Sequence, residues 1–274
     1  CLQVLTRLRA TTGAGLAIEL RHLMEHQTIA SLCQVLGGAG SAQHRPVPLN
    51  RSAAETPPLF CVHASFGNVF DYTPLARALE GACKVHGLAC PPVDTFDSLE
   101  HLAHLHVKAI RAVQPTGPYR LLGWSLGGAL AARMAAILED AAETVAFLGL
   151  VDSLVPRQGT APVRQRGSID ELHAYLLQLF PQLANSGFAD ELTRAQAEMQ
   201  GPELVEHLIR RAFALAGGAE QAGPDELSRM FATAERLREL SHDMSLQALQ
   251  VAPTCWWAAD RAEDDMERLV ALLD

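Results

Sequence analysis

The stretch Leu121-Leu122-Gly123-Trp124-Ser125-Leu126-Gly127-Gly128 decides the fold of this chain. Tyr119 to Trp124 is an apolar run that predicts a strand, and Leu126 to Glu139 is an alanine-rich run that predicts a helix. Ser125 lies at the junction with a glycine two positions away on each side, which is the G-x-S-x-G pattern of a nucleophile elbow. In such a turn the serine backbone is strained, and neighbouring chains approach too closely for side chains at the glycine positions.

The elbow has a direct chemical consequence. It holds the Ser125 hydroxyl at the carboxyl end of a sheet, in front of the free N–H groups that begin the following helix. Those N–H groups can stabilise a developing oxyanion, and Leu126 is the first of them. The five-residue pattern is weak by itself, so the prediction depends on the strand that precedes it and the helix that follows.

Composition limits the class of protein. The chain has 274 residues, of which 49% are hydrophobic, and a net charge of −9 without a basic run. This is enough for one large α/β domain plus a small one, and it argues against nucleic acid as a partner. The longest apolar stretch, Leu121 to Leu138, is interrupted by Arg133, so no membrane span is predicted. Six cysteines without metal-type spacing predict no metal site and favour a reducing cytoplasm.

The order of apolar patterns predicts two domains. Residues 1–38 are predicted to be a small helical domain, 39–56 a Gly/Pro-containing linker, and 57–274 a domain of alternating strands and helices. Such alternation predicts a doubly wound, mostly parallel sheet. The predicted strands are Pro58–His63, Lys84–Ala89, Tyr119–Trp124, Thr144–Val151 and Ala252–Ala259. The predicted helices between and after them are Thr73–Leu79, Leu99–Val113, Leu126–Glu139 and Asp264–Leu273.

Residues 154–248 interrupt this alternation. They contain four helical patterns without a strand: Ile169–Leu179, Asp190–Met199, Pro202–Leu215 and Pro224–Ser241. An all-helical insertion at the sheet edge that carries the active-site loops predicts a lid.

A serine nucleophile needs a base and an acid that orients the base. Asp152 follows the strand after the elbow helix, and the carboxyl ends of parallel strands meet at one edge. It is therefore the predicted acid, with Asp260 after the next strand as the alternative. The order Ser…Asp…His places the histidine after the last strand, so we expect it beyond Asp274. His242, before the penultimate strand, is the less favoured candidate.

The oxyanion hole needs a second N–H donor besides Leu126. The loop after the first predicted strand, His63-Ala64-Ser65-Phe66-Gly67, can supply it from Ser65 or Ala64. His63 is predicted to be structural, bonding that loop in place. His101 and His104 are spaced as a helical metal pair, but no acidic or cysteine partner is evident in the sequence.

The N-terminal region resembles a known kind of domain. The segment Leu23-Met24-Glu25-His26-Gln27-Thr28-Ile29-Ala30-Ser31-Leu32 is similar to the closing segment of a peptidyl carrier domain from a nonribosomal peptide synthetase. The usual form of that segment has proline where Gln27 stands. Leu5-Thr6-Arg7-Leu8-Arg9 resembles the helix after the carrier's phosphopantetheine-bearing serine. The resemblance implies an attachment serine just before Cys1.

Residues 57–274 resemble the type I thioesterase domains, of the α/β-hydrolase family, that end nonribosomal peptide and polyketide synthases. The matching parts are Leu59 to Tyr72, Gly123 to Gly128, and Leu150-Val151-Asp152-Ser153. The family usually has His-Pro-Ala-Gly-Gly where this chain reads His63-Ala64-Ser65-Phe66-Gly67, which leaves the second oxyanion donor open between Ser65 and Ala64. A carrier followed by a thioesterase is the terminal order of such synthases.

These resemblances imply a specific activity. We expect a thioesterase that releases an acyl or peptidyl chain from the phosphopantetheine of its own carrier domain through an ester on Ser125, by hydrolysis or macrocyclisation. Upstream synthetase domains would be its other partners, and no metal would be needed. The alternatives are a polyketide synthase thioesterase, a free-standing serine esterase or lipase with a helical appendage, and a docking module built on an inactive hydrolase fold. The product's identity stays open.

Overall fold

A mixed sheet forms the centre of the fold. The computed structural model describes residues 44–153, 168–216, 224–241 and 248–257, together with the single residues Leu23, Ile29 and Leu32. Within them, the strands are β1 (Val47–Pro48), β2 (Leu59–Val62), β3 (Val85–Leu88), β4 (Tyr119–Trp124), β5 (Val145–Val151) and β6 (Thr254–Trp256). They lie in the order β1-β3-β2-β4-β5-β6.

Every neighbouring pair of these strands is parallel except β1 with β3. The predicted mostly parallel sheet is therefore confirmed. The exception, β1, was not predicted, since Val47 and Pro48 fall in the stretch assigned to the linker. A two-residue strand is too short to show a periodic pattern, and a proline is tolerated at a sheet edge because its missing N–H need not be paired.

The α-helices of the described part agree closely with the sequence patterns. They are α1 (Thr73–Ala78), α2 (Leu99–Val113), α3 (Leu126–Asp140), α4 (Ser168–Leu179), α5 (Phe188–Glu198), α6 (Gly201–Leu215) and α7 (Pro224–Ser241). Helix α2 has the predicted bounds because its start is marked by a cap: the Ser98 side chain accepts a hydrogen bond from the His101 N–H. The start of α5 was predicted two residues too late, since Phe188 and Ala189 precede the first acidic residue.

The described residues divide into two compact units, which we call the sheet unit and the helical unit. The sheet unit takes the described residues of Ala42–Val163 and Arg236–Asp274, and the helical unit those of Cys1–Ser41 and Arg164–Glu235. The boundary between the units crosses α7, so the last turns of this helix belong to the sheet unit and its Leu237 lies in that unit's apolar core.

The core of the sheet unit explains why the central strands are apolar throughout. All four residues of β2 are buried, as expected for a parallel strand covered on both faces. Helices α2 and α3 pack on each other, and α3 packs on β4 and β5. The small residues near the start of α3, Gly127 to Ala129 with Ala131 and Ala132, are all buried, which lets the helix approach the strands closely. Cys61 and Cys83 are buried free thiols.

The end of α3 is tied to the segment that leads into β6. Both carboxylate oxygens of Glu139 accept backbone hydrogen bonds, one from the Gln250 N–H and one from the Val251 N–H, each 2.8 Å long. This contact joins residues 111 and 112 positions apart in the sequence.

The helical unit has its own apolar core. It comprises α4, a 3-10 turn over Pro181–Asn185, α5, α6 and the first part of α7. The rings of Phe180 and Phe213 meet edge to face with centroids 5.0 Å apart, and His173 stacks on Phe188 at 5.6 Å. The four helical patterns predicted for 154–248 are thus present as helices.

Several sequence predictions lie outside the described residues. These are the helices of residues 1–38 apart from the three single residues, the helix Asp264–Leu273, and the candidates His242 and Asp260. Among the helices that are described, none is long and apolar enough to cross a membrane.

Candidate active site

Ser125 stands between β4 and α3, where the sequence predicts the elbow. It has φ 54° and ψ −126°, a conformation that is strained for a residue with a side chain. Its N–H donates to the carbonyl oxygen of Val151 at 2.9 Å, which continues the β4–β5 ladder beyond the last paired residues. The sheet therefore holds the serine in a backbone conformation that it would not adopt alone.

The glycines around Ser125 make room for close backbone contacts, as predicted. A Cβ atom on Gly123 would overlap the carbonyl group of Gly127, one turn into α3. A Cβ atom on Gly127 would lie 2.5 Å from the carbonyl oxygens of both Val62 and His63. The elbow helix thus begins in direct contact with the end of β2.

Gly128 is a third necessary glycine that the motif does not include. A Cβ atom there would overlap the side chain of Ser153, which is buried just after the predicted acid. The Ser153 hydroxyl donates to the Val151 carbonyl at 2.8 Å, the same oxygen that accepts the Ser125 N–H. The signal for this contact in the sequence is the double glycine Gly127-Gly128, whose second member lies outside the G-x-S-x-G pattern.

Asp152 follows β5 at the same edge of the sheet. The pairing of Trp124 with Val151 places Ser125 and Asp152 at equivalent positions past the ends of two adjacent strands. Asp152 has φ 46°, and its N–H donates to the Trp256 carbonyl on β6 at 2.7 Å. The predicted nucleophile and the predicted acid are thus brought to one rim by hydrogen bonds across β4, β5 and β6.

The predicted oxyanion loop is a tight turn after β2. The Gly67 N–H donates to the Ala64 carbonyl at 3.0 Å, and Gly67 has φ 74°, which favours glycine. The Gly67 carbonyl accepts from the Cys90 N–H at 2.8 Å, which fixes the turn to the chain after β3. Ala64 is buried and Ser65 is partly exposed, so both candidate donors lie in an ordered turn.

His63 bonds this loop in place, as predicted. Its Nδ1 lies 2.8 Å from the Ala64 carbonyl oxygen, and because a carbonyl only accepts, Nδ1 carries the proton. Burial lowers the pKa of His63 to about 4, so the ring is neutral at pH 7. The Ala64 carbonyl therefore accepts two hydrogen bonds, from the His63 ring and from the Gly67 N–H.

His63 belongs to a cluster of three histidines, His44, His63 and His106, that the sequence did not predict. His44 Nε2 and His106 Nδ1 share a hydrogen bond of 2.8 Å, and the rings of His63 and His106 meet with centroids 5.3 Å apart. Burial lowers the pKa of His44 to about 4 and holds the pKa of His106 well below its usual range. All three rings are therefore neutral at pH 7.

His101 and His104 lie on α2 but not in this cluster. His101 contacts Asp97 at 3.3 Å and His104 contacts Glu100 at 3.2 Å, so the acidic partners that were not evident in the sequence are present one turn earlier. These are surface pairs at the start of α2, each between residues four positions apart. Within the described residues, no three histidine, cysteine or acidic side chains are grouped so that they could hold a metal ion.

Comparison with known proteins identifies the family. Residues 57–269 match the sequence model of the family described as thioesterase domain. The chain belongs to the thioesterase domain family. This thioesterase is 35% identical over 158 residues to a dimodular nonribosomal peptide synthase of Bacillus subtilis, covering 56% of this chain and 6% of that protein. It is 32% identical over 157 residues to enterobactin synthase component F of Escherichia coli O157:H7, covering 54% of this chain and 12% of that protein.

The thioesterase therefore spans only a small part of these much longer relatives. Among solved structures it resembles the Vlm2 thioesterase domain bound with a dodecadepsipeptide, with a TM-score of 0.59 and 17% identity. That similarity covers 85% of this chain and 84% of the Vlm2 chain, and at this identity it supports the fold.

Proposed function

We propose that this thioesterase releases an acyl or peptidyl chain from the phosphopantetheine arm of a carrier domain, in nonribosomal peptide biosynthesis. The observation that carries the proposal is the strained Ser125, hydrogen-bonded to the residue just before Asp152, in a chain of the thioesterase family. The two relatives compared above are named as synthases and are much longer than this chain, which supports a substrate that arrives tethered.

The reaction would proceed through an ester on Ser125. The hydroxyl oxygen attacks the thioester carbonyl while a base removes its proton, and the N–H groups of Leu126 and of Ser65 or Ala64 stabilise the oxyanion. The C–S bond then breaks and the thiol leaves with the proton. Water, or an amine or hydroxyl of the chain itself, next attacks the ester, and Ser125 regains its proton. The two routes release an acid or a macrocycle.

In this scheme Asp152 orients the base. The Ser…Asp…His order places the base after β6, and the histidines of the described ranges all precede that strand. His63 is not assigned this role because its Nδ1 is occupied by the Ala64 carbonyl and its pKa is lowered to about 4. Asp260 remains the alternative acid.

We further propose that the helical insertion between β5 and β6 acts as a lid. Its helices α4 to α6 and the start of α7 form a unit with its own apolar core, which is the property of an element that can move as one body. A lid would exclude water from the seryl ester, which matters most when the product is cyclic. Residues 1–38 would be the end of the carrier domain that delivers the substrate, carrying its phosphopantetheine just before Cys1.

The proposal is tested with the natural full-length protein and a synthetic acyl-phosphopantetheine thioester. Wild type should release the acid and should be labelled by a fluorophosphonate at one residue, Ser125. Ser125→Ala should abolish turnover and labelling, because it removes the hydroxyl that forms the ester. The matched control is Ser98→Ala, which removes a hydroxyl that caps α2 and should retain both.

Two results would contradict the assignment. Stoichiometric labelling of Ser125→Ala at another residue would place the nucleophile elsewhere. Rapid cleavage of small soluble esters together with inactivity on the carrier-bound thioester would favour a free-standing esterase.

A further inference from the structure

The gap between β2 and β4 separates the oxyanion loop from the nucleophile elbow. The two strands pair in parallel from Leu59 with Arg120 to Val62 with Gly123. Past this point β2 leads into the loop at His63, and β4 leads through Trp124 into Ser125. The width of the gap therefore sets the distance between the second oxyanion donor and the nucleophile.

A side chain contacts the end of this ladder. The His63 N–H donates to the Leu88 carbonyl on β3 at 3.0 Å, so the preceding residue, Val62, directs its peptide groups toward β4. In a parallel ladder with Val62 opposite Gly123, the Trp124 N–H faces the Val62 carbonyl. A tyrosine hydroxyl hydrogen-bonds these same two backbone groups.

The bridging group is the hydroxyl of Tyr72. It donates to the Val62 carbonyl oxygen at 2.7 Å and accepts from the Trp124 N–H at 2.8 Å. Both distances are those of strong hydrogen bonds, and the hydroxyl uses its one proton and one of its lone pairs. A single oxygen atom thus links the ends of the two strands by one hydrogen bond to each.

Tyr72 is itself held firmly. Its side chain is buried, and it lies in a 3-10 turn over Phe70–Tyr72 that runs directly into α1. Burial raises the pKa of the phenol well above its usual range, so the hydroxyl keeps the proton that it donates. Val69, just before the turn, packs its side chain against Gly87 of β3, in the space that a Cβ atom on Gly87 would need. The position of the hydroxyl is therefore determined by the sheet.

We propose that Tyr72 is a positioning residue for the thioesterase reaction, which sets the spacing between the oxyanion loop and the nucleophile elbow. The inference rests on the proposed function of Ser125 and of the loop. Without the hydroxyl, the Trp124 N–H and the Val62 carbonyl lose the link that it makes between them, and the two strand ends can shift. Such a shift moves Ser125 relative to Ala64 and Ser65, and it costs catalytic rate because oxyanion stabilisation depends on geometry.

The test compares Tyr72→Phe with Tyr119→Phe in the natural full-length protein. Tyr119 is buried on the same strand β4 but at its other end, where its hydroxyl donates to the Gln114 carbonyl at 3.1 Å. Both variants lose one buried phenol hydroxyl. We expect Tyr72→Phe to lower kcat and the rate of fluorophosphonate labelling about tenfold to a hundredfold with KM within about twofold. Tyr119→Phe should change none of the three by more than about twofold.

A conservative replacement separates positioning from folding. Tyr72→4-aminophenylalanine keeps a group that can donate and accept at the same point, so it should recover most of the wild-type kcat even if Tyr72→Phe does not fold. Equal kcat in Tyr72→Phe and Tyr119→Phe would overturn the proposal, as would a folded 4-aminophenylalanine variant as slow as Tyr72→Phe. If wild type itself neither releases the acid nor is labelled at Ser125, the proposed function fails instead.

Discussion

At the scale of single residues, the site is built from backbone positions that most side chains would not tolerate. Ser125 and Asp152 both have positive φ although neither is glycine. Such conformations cost about 1–3 kcal/mol each and persist only where surrounding contacts determine them. Here those contacts are the hydrogen bonds to the Val151 and Trp256 carbonyls. The strain at Ser125 can be measured separately from its chemistry.

Replacing Ser125 by glycine or by alanine removes the hydroxyl in both cases and differs only in the Cβ atom. We expect Ser125→Gly to be more stable than Ser125→Ala by about 1 kcal/mol or more, because glycine adopts φ 54° without the steric cost. Urea unfolding of both variants gives the difference.

The control pair is at Lys108, an exposed position in α2. There the order should reverse, with Lys108→Gly less stable than Lys108→Ala by about 1 kcal/mol, because glycine is a poor helix former. If glycine is also the less stable choice at position 125, the backbone there is not strained.

At the scale of helices and strands, the sequence predicts elements that are long or marked by local signals. Helix α2 has a capping serine and an apolar face, and β4 with α3 carries the glycine pattern of the elbow. The strand β1 is not predicted because two residues are too few to show an alternating pattern. The contact between Glu139 and the segment before β6 is not predicted for another reason: nothing near Glu139 in the sequence indicates partners 111 and 112 residues away.

The contact between Glu139 and the segment before β6 can be weakened by changing one atom of the side chain. Glu139→Gln replaces one carboxylate oxygen by an NH₂ group, which cannot accept from the Gln250 or Val251 N–H. We expect the amide that then faces the NH₂ group to exchange with solvent about tenfold faster or more, because a hydrogen bond to a charged group contributes about 1.5–3 kcal/mol. The other amide keeps an acceptor and should be affected less. Hydrogen exchange read by NMR at these two amides makes the measurement.

Asp140→Asn is the matched control. Asp140 is the neighbouring carboxylate at the end of α3 and is exposed, so its loss should leave the exchange at Gln250 and Val251 as it is in wild type. Unchanged exchange in Glu139→Gln would mean that the segment before β6 is held by other contacts.

At the scale of the whole molecule, three distant segments meet in the cluster of His44, His63 and His106. His44 and His106 are 62 residues apart in sequence, and Tyr72 and Trp124 are 52 apart. Contacts between residues so far apart leave no local pattern in the sequence. The sequence therefore predicts Ser125, Asp152 and the oxyanion loop, but neither the histidine cluster nor the hydrogen bonds of the Tyr72 hydroxyl. The cluster also makes the stability of the fold depend on pH.

The direction of that dependence follows from the lowered pKa values. In the unfolded chain a histidine has a pKa of about 6.5, whereas in the folded protein the pKa of His44 and that of His63 are each about 4. Between these values the unfolded state binds more protons. Stability is therefore fully present above about pH 6.5 and is lost as the pH falls toward 4, by about 2 kcal/mol per histidine at pH 5.

His44→Gln tests this dependence. Glutamine can keep a hydrogen bond to His106 but does not titrate, so the variant should lose about 2 kcal/mol less stability than wild type between pH 7 and pH 5. Urea unfolding at the two pH values gives both numbers. His104→Gln, which removes an exposed histidine of α2, should follow the wild-type curve. Identical losses in His44→Gln and wild type would show that acid does not act through the cluster.

The hydrogen bonds from Ser125 to Val151 and from Asp152 to Trp256 also bear on how the chain is connected. They align the proposed nucleophile and the proposed acid across the sheet, so the alignment does not depend on the covalent path that runs through α3 and back into β5. The turn between α3 and β5 includes the exposed residues Ala141, Ala142 and Thr144. Inserted residues or new chain termini at this turn would leave Ser125 and Asp152 in register, so the length and order of the connections can change while the rim of the sheet keeps its geometry.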